Sequence, residues 1–141
     1  MAAAKKKKAK KKAQTRSRKK VLLIEDDTFL SGMYIAKLGM ENFEVLLAAD
    51  GKEGIDMAKK EKPDLILLDL ILPVIDGYGV LEALKRSRVL SSVPVILLTN
   101  LNERENIDRA MKYNVVDYLV KAHFMPSEVI KKIKRVININ N

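Results

Sequence analysis

From Val21 onward the apolar positions follow two alternating rhythms. Residues 21–24 (VLLI) and 65–68 (LILL) are uninterrupted apolar runs, as strands covered on both faces require. Residues 43–48, 93–98 and 115–120 read as three further strands. Between these runs the spacing turns helical. Phe29, Leu30, Met33 and Ala36 mark an inward face of a first helix that stops at Gly39. Ile55 and Ala58 mark a second helix over 51–61, which Pro63 terminates, and Val80, Leu81 and Leu84 a third over 77–86. A polar fourth helix over 102–112 offers only Ile107 and Met111 as sizeable inward residues. Pro126 opens a fifth, with Val129, Ile130, Ile133, Val136 and Ile137 on one side.

Five strands alternating with five helices predict an α/β fold, an open doubly wound parallel sheet with right-handed crossovers. A closed barrel needs eight such units. In an open sheet of this kind ligands bind outside the carboxyl ends of the strands, so function is sought there.

Composition bounds the chemistry. The 141 residues suit one domain, and 48% apolar content suffices for one core. With no Cys there is no disulfide scaffold, thiolate metal site or cysteine catalysis, and the single His123 excludes a multi-imidazole centre. No apolar stretch approaches a membrane span or a signal peptide, so a soluble, cytoplasmic protein without a membrane span is expected. The net charge of +9 is unevenly spread: residues 1–20 hold nine Lys and two Arg and no acid, leaving residues 21–141 at −2. Residues 1–19 therefore read as a disordered polybasic leader and 20–141 as the folded domain. Residues 5–20 are expected to contact nucleic acid or an anionic surface weakly and without specificity. No aromatic residue interleaves these lysines, so bases have nothing to stack on.

The strand ends carry the chemistry. Glu25, Asp26 and Asp27 follow the first strand, Asp69 ends the third, Thr99 and Asn100 follow the fourth, and Lys121 follows the fifth. Clustered carboxylates repel unless a cation sits among them, and Mg²⁺ suits an all-oxygen site that supplies one or two of them. Carboxylates with Mg²⁺, a hydroxyl and an ammonium group point to phosphoryl transfer onto an aspartate. Asp27 is read as the N-cap of the first helix and Asp76 as a cap or turn residue. His123 is read as solvated, and Tyr118 in its strand is open to a plain core role.

Residues 21–27 (VLLIEDD), 64–77 (DLILLDLILPVIDG), 94–99 (PVILLT) and 117–121 (DYLVK) resemble, in order and spacing, the receiver domain of bacterial response regulators. The resemblance spans Lys20 to about Ile139. It implies strand order 2-1-3-4-5 and Asp69 as phosphoacceptor. It implies Glu25 and Asp26 as the acidic pair, with Asp26, Asp69 and the backbone carbonyl of Ile71 as Mg²⁺ ligands. Thr99, Tyr118 and Lys121 become switch residues, and the face of the fourth helix, fifth strand and fifth helix becomes the output surface. The implied partners are a sensor histidine kinase or phosphotransfer protein and a downstream protein. Asn100 replaces the usual Ala or Gly, and Ala122 the usual Pro, which bear on efficiency rather than on the acceptor. Ile71 and Leu101, where such domains position the hydrolytic water, are apolar, so slow autodephosphorylation without enzymatic turnover is expected.

Other functions fit less well. A flavin-phosphate site would be repelled by Glu25, Asp26 and Asp27. A phosphatase of the haloacid dehalogenase type needs an acid two residues past its nucleophile, where this chain has Ile71. A receiver-like interaction module that is no longer phosphorylated is the remaining alternative. Because the sequence ends shortly after the last helix, a stand-alone receiver acting through a protein contact is expected.

Overall fold

The structure, a computed structural model, describes residues 18–100, 104–121 and 125–139, without the side chains of Arg104, Asn138 and Ile139. Of the leader read as residues 1–19, residues 1–17 lie outside the described residues, as do the readings placed on Leu101, Ala122 and His123, whereas Arg18 donates to Phe43 O and Lys19 O accepts from Glu44 N. The elements are β1 (Lys20–Ile24), α1 (Thr28–Met40), β2 (Glu44–Ala48), α2 (Gly51–Glu61) and β3 (Leu65–Asp69). They continue with α3 (Gly77–Arg86), β4 (Val95–Thr99), α4 (Arg104–Ala110), β5 (Val115–Val120) and α5 (Pro126–Ile139). The strands form one parallel sheet in the order β2-β1-β3-β4-β5, as the resemblance implied.

Successive residues of a strand face opposite sides of the sheet, so each central strand feeds two cores. Leu22, Ile24, Ile66, Leu68 and Leu97 pack under α2 and α3, whose Ile55, Ala58, Val80, Leu81 and Leu84 are buried. Val21, Leu23, Leu65, Leu67 and Ile96 pack under α1 and α5, with Val129, Ile130, Ile133 and Ile137. Three helices start at aspartate caps: Asp27 accepts from Leu30 N (3.0 Å), Asp50 from Glu53 N (2.8 Å) and Asp76 from Gly79 N (3.0 Å). Asp27 and Asp76 are thus caps, as read.

Two helix faces differ from expectation. α1 buries Ser31, Tyr34 and Leu38, with Leu30 partly buried, while Phe29 is 76% exposed and Met33 and Ala36 are also exposed. Apolar residues lie on every side of this helix, so periodicity alone chose the wrong stripe. α4 is short, and the chain turns after Ala110, which leaves Met111 exposed and Ile107 buried.

The loop from β3 to α3 is held by close backbone approaches. A Cβ on Gly51 would lie 1.8 Å from the Ile75 carbonyl oxygen, and one on Gly77 would lie 2.5 Å from Leu70 Cα. Only glycine permits these contacts. Between them Val74 adopts φ 69°, and Ile75 N donates to Pro73 O at 2.8 Å across it. This is a γ-turn of the strained, positive-φ kind.

Candidate functional site

The sheet order brings the strand ends together. β1 and β3 are neighbours with Ile24 opposite Leu68, so Glu25 and Asp69, each one residue further, stand side by side at the carboxyl edge. Asp69 faces Leu98 on β4, which sets Thr99 beside the site, fully buried. Lys121 N donates to Thr99 O at 2.8 Å, fixing the start of the Lys121 side chain just past β5. That side chain is long enough to reach across β4 to β1 and β3.

Lys121 Nζ donates to Glu25 Oε1 at 2.6 Å and to Asp69 Oδ2 at 2.8 Å. Asp69 Oδ1 accepts from Ile71 N at 3.1 Å, which orients the carboxylate. Asp69 and Glu25 are buried, and Asp26 is exposed at the rim. Burial first, then the hydrogen bond with Asp69, pushes the Glu25 carboxyl up to about 7, although Lys121 opposes the shift. Burial would lower Lys121, but its bonds to Asp69 and Glu25 outweigh that and hold it above the usual lysine value. Tyr34 of α1 lies close enough to respond to both charges, and burial raises its phenol.

Glu25, Asp26 and Asp69 each bring a carboxylate oxygen to within 4.8 Å of the others. Glu25 Oε2 is buried without a hydrogen-bond partner. An oxygen-seeking divalent cation answers both the repulsion and the unsatisfied atom, so the donor set fits Mg²⁺. The expected site residues Glu25, Asp26, Asp69, Thr99 and Lys121 thus gather at one edge of the sheet, and Ile71 flanks them with a side chain 60% exposed. Tyr118 stands apart, on the outer strand of the sheet and 41% exposed, so it is not plain core. Asn100 is exposed beside Thr99.

Sequence reasoning missed two features here. One is the direct Lys121–Glu25 pair, whose signal was two opposite charges at the ends of different strands. The other is Tyr34 beneath the well, which the spacing Leu30, Tyr34, Leu38 would have shown.

A five-stranded parallel sheet of this order, with acids and a lysine at its carboxyl edge, defines a receiver-type signalling module. Residues 21–134 match the response regulator receiver domain family, and the chain belongs to it. Members of that family are signalling modules rather than turnover enzymes. The chain is 34% identical over 117 residues to the probable transcriptional regulator ycf27 of Porphyridium aerugineum, covering 83% of this chain and 47% of that protein. It spans about half the length of the curated relatives it matches.

The receiver domain of the Francisella response regulator 1452 superposes with a TM-score of 0.80 at 27% identity, covering 88% of this chain and 100% of that one. The receiver domain of sensor histidine kinase PA1611 from Pseudomonas aeruginosa PAO1 superposes with a TM-score of 0.79 at 29% identity, covering 86% and 99%. That structure holds a magnesium ion coordinated in the active site cleft. No described helix is long and apolar enough to cross a membrane.

Proposed function

We propose that the protein is a phosphoacceptor of a two-component relay, in which Asp69 takes a phosphoryl group and the change is read on another surface. The observation that carries this reading is the placement of Asp69. Its carboxylate is buried, oriented by Ile71 N–H, and touched by a lysine that can accept a second anionic partner.

An Asp69 carboxylate oxygen attacks the phosphorus of a phosphohistidine or a small acyl phosphate, forming an O–P bond as the N–P or acyl O–P bond breaks. The Lys121 ammonium, already between Glu25 and Asp69, neutralises charge on the transferred group. The Thr99 hydroxyl then donates to a phosphoryl oxygen. Glu25, Asp26 and Asp69, with the Ile71 carbonyl, would hold Mg²⁺, which when bound supplies charge neutralisation for the phosphoryl oxygens.

Movement of Thr99 frees space for Tyr118 to turn inward from its half-exposed position. The face of α4, β5 and α5 changes with it, and exposed Met111, Val116 and Tyr118 give that face an apolar patch for a downstream protein. Phe29, Ile71 and Val74, all more than half exposed, offer a donor protein apolar contacts. The donor is a sensor histidine kinase or phosphotransfer protein, and the compartment is the cytoplasm.

Incubation with Mg²⁺ and acetyl phosphate, read by intact mass, tests the reading. A gain of one phosphoryl group that is lost in Asp69→Asn is expected. Labelling that survives Asp69→Asn would sink it. In parallel, beryllium fluoride should shift amide signals across residues 100–125, and a silent spectrum there removes the switch.

A further inference from the structure

A helix packed on a sheet usually buries an apolar stripe and turns charged residues to solvent. α2 follows this rule: its exposed residues are Lys52, Glu53, Asp56, Lys59 and Lys60. α1 breaks it. Phe29, Met33, Ile35, Ala36 and Met40 are exposed, and no exposed residue of this helix is charged. At about 100° per residue, Phe29, Met33, Ala36 and Met40 fall within a strip about 60° wide. That strip lies on the side away from the buried Tyr34 and Leu38.

The glycines of α1 point the same way independently. A Cβ on Gly32 or Gly39 would meet nothing within 4 Å, so no described neighbour requires glycine at either position. Glycine within a helix costs up to about 1 kcal/mol relative to alanine. Gly32 and Gly39 lie about one turn before and after Ala36, and together the three leave the backbone bare along one side of the strip. A bare helix side suits the close approach of another backbone.

The charges of the domain select what covers this face. In a parallel sheet with helical crossovers every strand starts, and every helix ends, at the same edge. Residues 18–20, the last helical turns, the connections after them and the first residues of the next strands carry twelve basic and five acidic side chains. The opposite edge, where α1 begins, carries nine acids against Lys52 and Lys121 among described side chains. α1 therefore runs from an acidic end to a basic one. A second copy laid antiparallel along it sets acid against base at both ends, whereas a parallel copy sets like against like. From these observations we infer that α1 is the interface of a two-fold antiparallel dimer of this chain.

The register follows from the strip. Setting Phe29 opposite Met40 of the second copy also sets Met33 opposite that copy's Ala36, a large residue against a small one at the centre. The two-fold turns the Gly32, Ala36 and Gly39 side of each helix toward the same side of the other, so the backbones approach closely. Past the helix ends, the exposed Asp26 and Asp27 of one copy stand toward Arg18 and Lys19 of the other, which are fixed beside Phe43 and Glu44. The pairing does not depend on phosphoryl transfer, but while it lasts it withdraws Phe29 from a donor protein.

Sedimentation velocity of the full chain tests the pairing. A monomer–dimer equilibrium with a dissociation constant on the order of 10–100 µM is expected, weak because one helix pair gives an interface at the small end of the size range. Ala36→Arg and Met33→Glu, both at exposed positions, should each weaken it about tenfold or more, since each places an unpaired charge in the interface. Far-UV dichroism reports whether each variant is folded. The chain has no Cys, so an equal mixture of Phe29→Cys and Met40→Cys proteins under mild oxidation reads the orientation. By intact mass, the product linking the two different variants should exceed its statistical share. A parent chain that stays monomeric at about 1 mM overturns the dimer, as does a dimer that both folded variants leave unchanged. An excess of products linking like variants overturns the antiparallel arrangement. A monomeric parent that binds phosphatidylcholine vesicles, and loses that binding in Met33→Glu, overturns the choice of partner.

Discussion

Lys121 Nζ lies 2.8 Å from Asp69 Oδ2 and 2.6 Å from Glu25 Oε1, with the lysine side chain only 5% exposed. One ammonium therefore holds together two buried carboxylates from different strands. Removing it leaves both without compensation, a loss that typically costs about 3–5 kcal/mol. Lys121→Met should lower the melting temperature in chelator by about 10 °C, at a few degrees per kcal/mol for a domain of this size. Mg²⁺ should recover a large part of that loss, because a cation can replace the ammonium between the acids. Calorimetry with and without Mg²⁺ decides, and a variant that melts with the parent protein under both conditions refutes the role.

Metal binding at this site is expected to depend on pH through the Glu25 carboxyl. Its value is pushed up to about 7, chiefly by burial, so near neutrality it exchanges a proton that a cation must displace. Mg²⁺ affinity should rise as pH increases from 6 to 8, with proton release on binding, and level off above that. The stability sign runs the other way. A carboxyl raised in the folded state binds more protons folded than unfolded between about 4.5 and 7. Without metal, this group's contribution declines as pH rises through that window. Glu25→Gln should flatten both profiles. Isothermal titration in two buffers of different ionisation enthalpy measures the released proton, and pH-independent affinity in the parent protein contradicts the assignment.

The fold was legible where burial is symmetric. Residues 65–68 and 21–24 show no polar position because both faces are covered, and the structure makes them central strands. α1 was misread for the opposite reason: Phe29, Met33, Ile35 and Met40 are apolar yet exposed, so its stripe carries no contrast. At the site, the acids and the lysine were visible at strand ends, but their meeting depends on which strands are neighbours. That order came from the resemblance, not from periodicity. The Lys121–Glu25 contact spans 96 positions and leaves no local pattern. Val74 is the extreme case, since a β-branched residue is among the last expected at positive φ.

That turn supplies a third prediction. Val74 is 73% exposed, so its side chain gains little from burial to offset a φ of 69°. Positions of this kind typically cost on the order of 1–3 kcal/mol in a residue with a Cβ. Val74→Gly removes the strain but adds freedom to the unfolded chain, so a net gain of about 1 kcal/mol is expected. Lys62, in the left-handed C-cap of α2 at φ 48°, should respond the same way to glycine. Urea denaturation of each variant measures it. A Val74→Gly protein less stable than the parent would mean the isopropyl group makes a contact that outweighs the turn.

If Asp69 is phosphorylated as proposed, the lifetime of that state should depend on Ile71 and on Leu101, two residues past Thr99 in the sequence. A phosphoaspartate hydrolyses when water attacks in line with the Asp69–phosphorus bond, and a polar side chain can hold that water. Ile71 is apolar and 60% exposed beside the well, where its side chain offers the water no hydrogen bond. Leu101 is equally unable to bond it. A missing positioning contact of this sort typically slows a step by roughly tenfold or more. Autodephosphorylation should therefore be slow, which suits sustained signalling or onward phosphotransfer, and a partner phosphatase would have to bring its own polar group. Ile71→Asn and Leu101→Glu should each shorten the lifetime, and the pair together more than either alone. Decay of the intact-mass signal after removal of acetyl phosphate gives the comparison. A parent protein that decays as fast as both variants places control of the water elsewhere, in the Lys121–Asp69 pair that any arriving phosphoryl group must first divide.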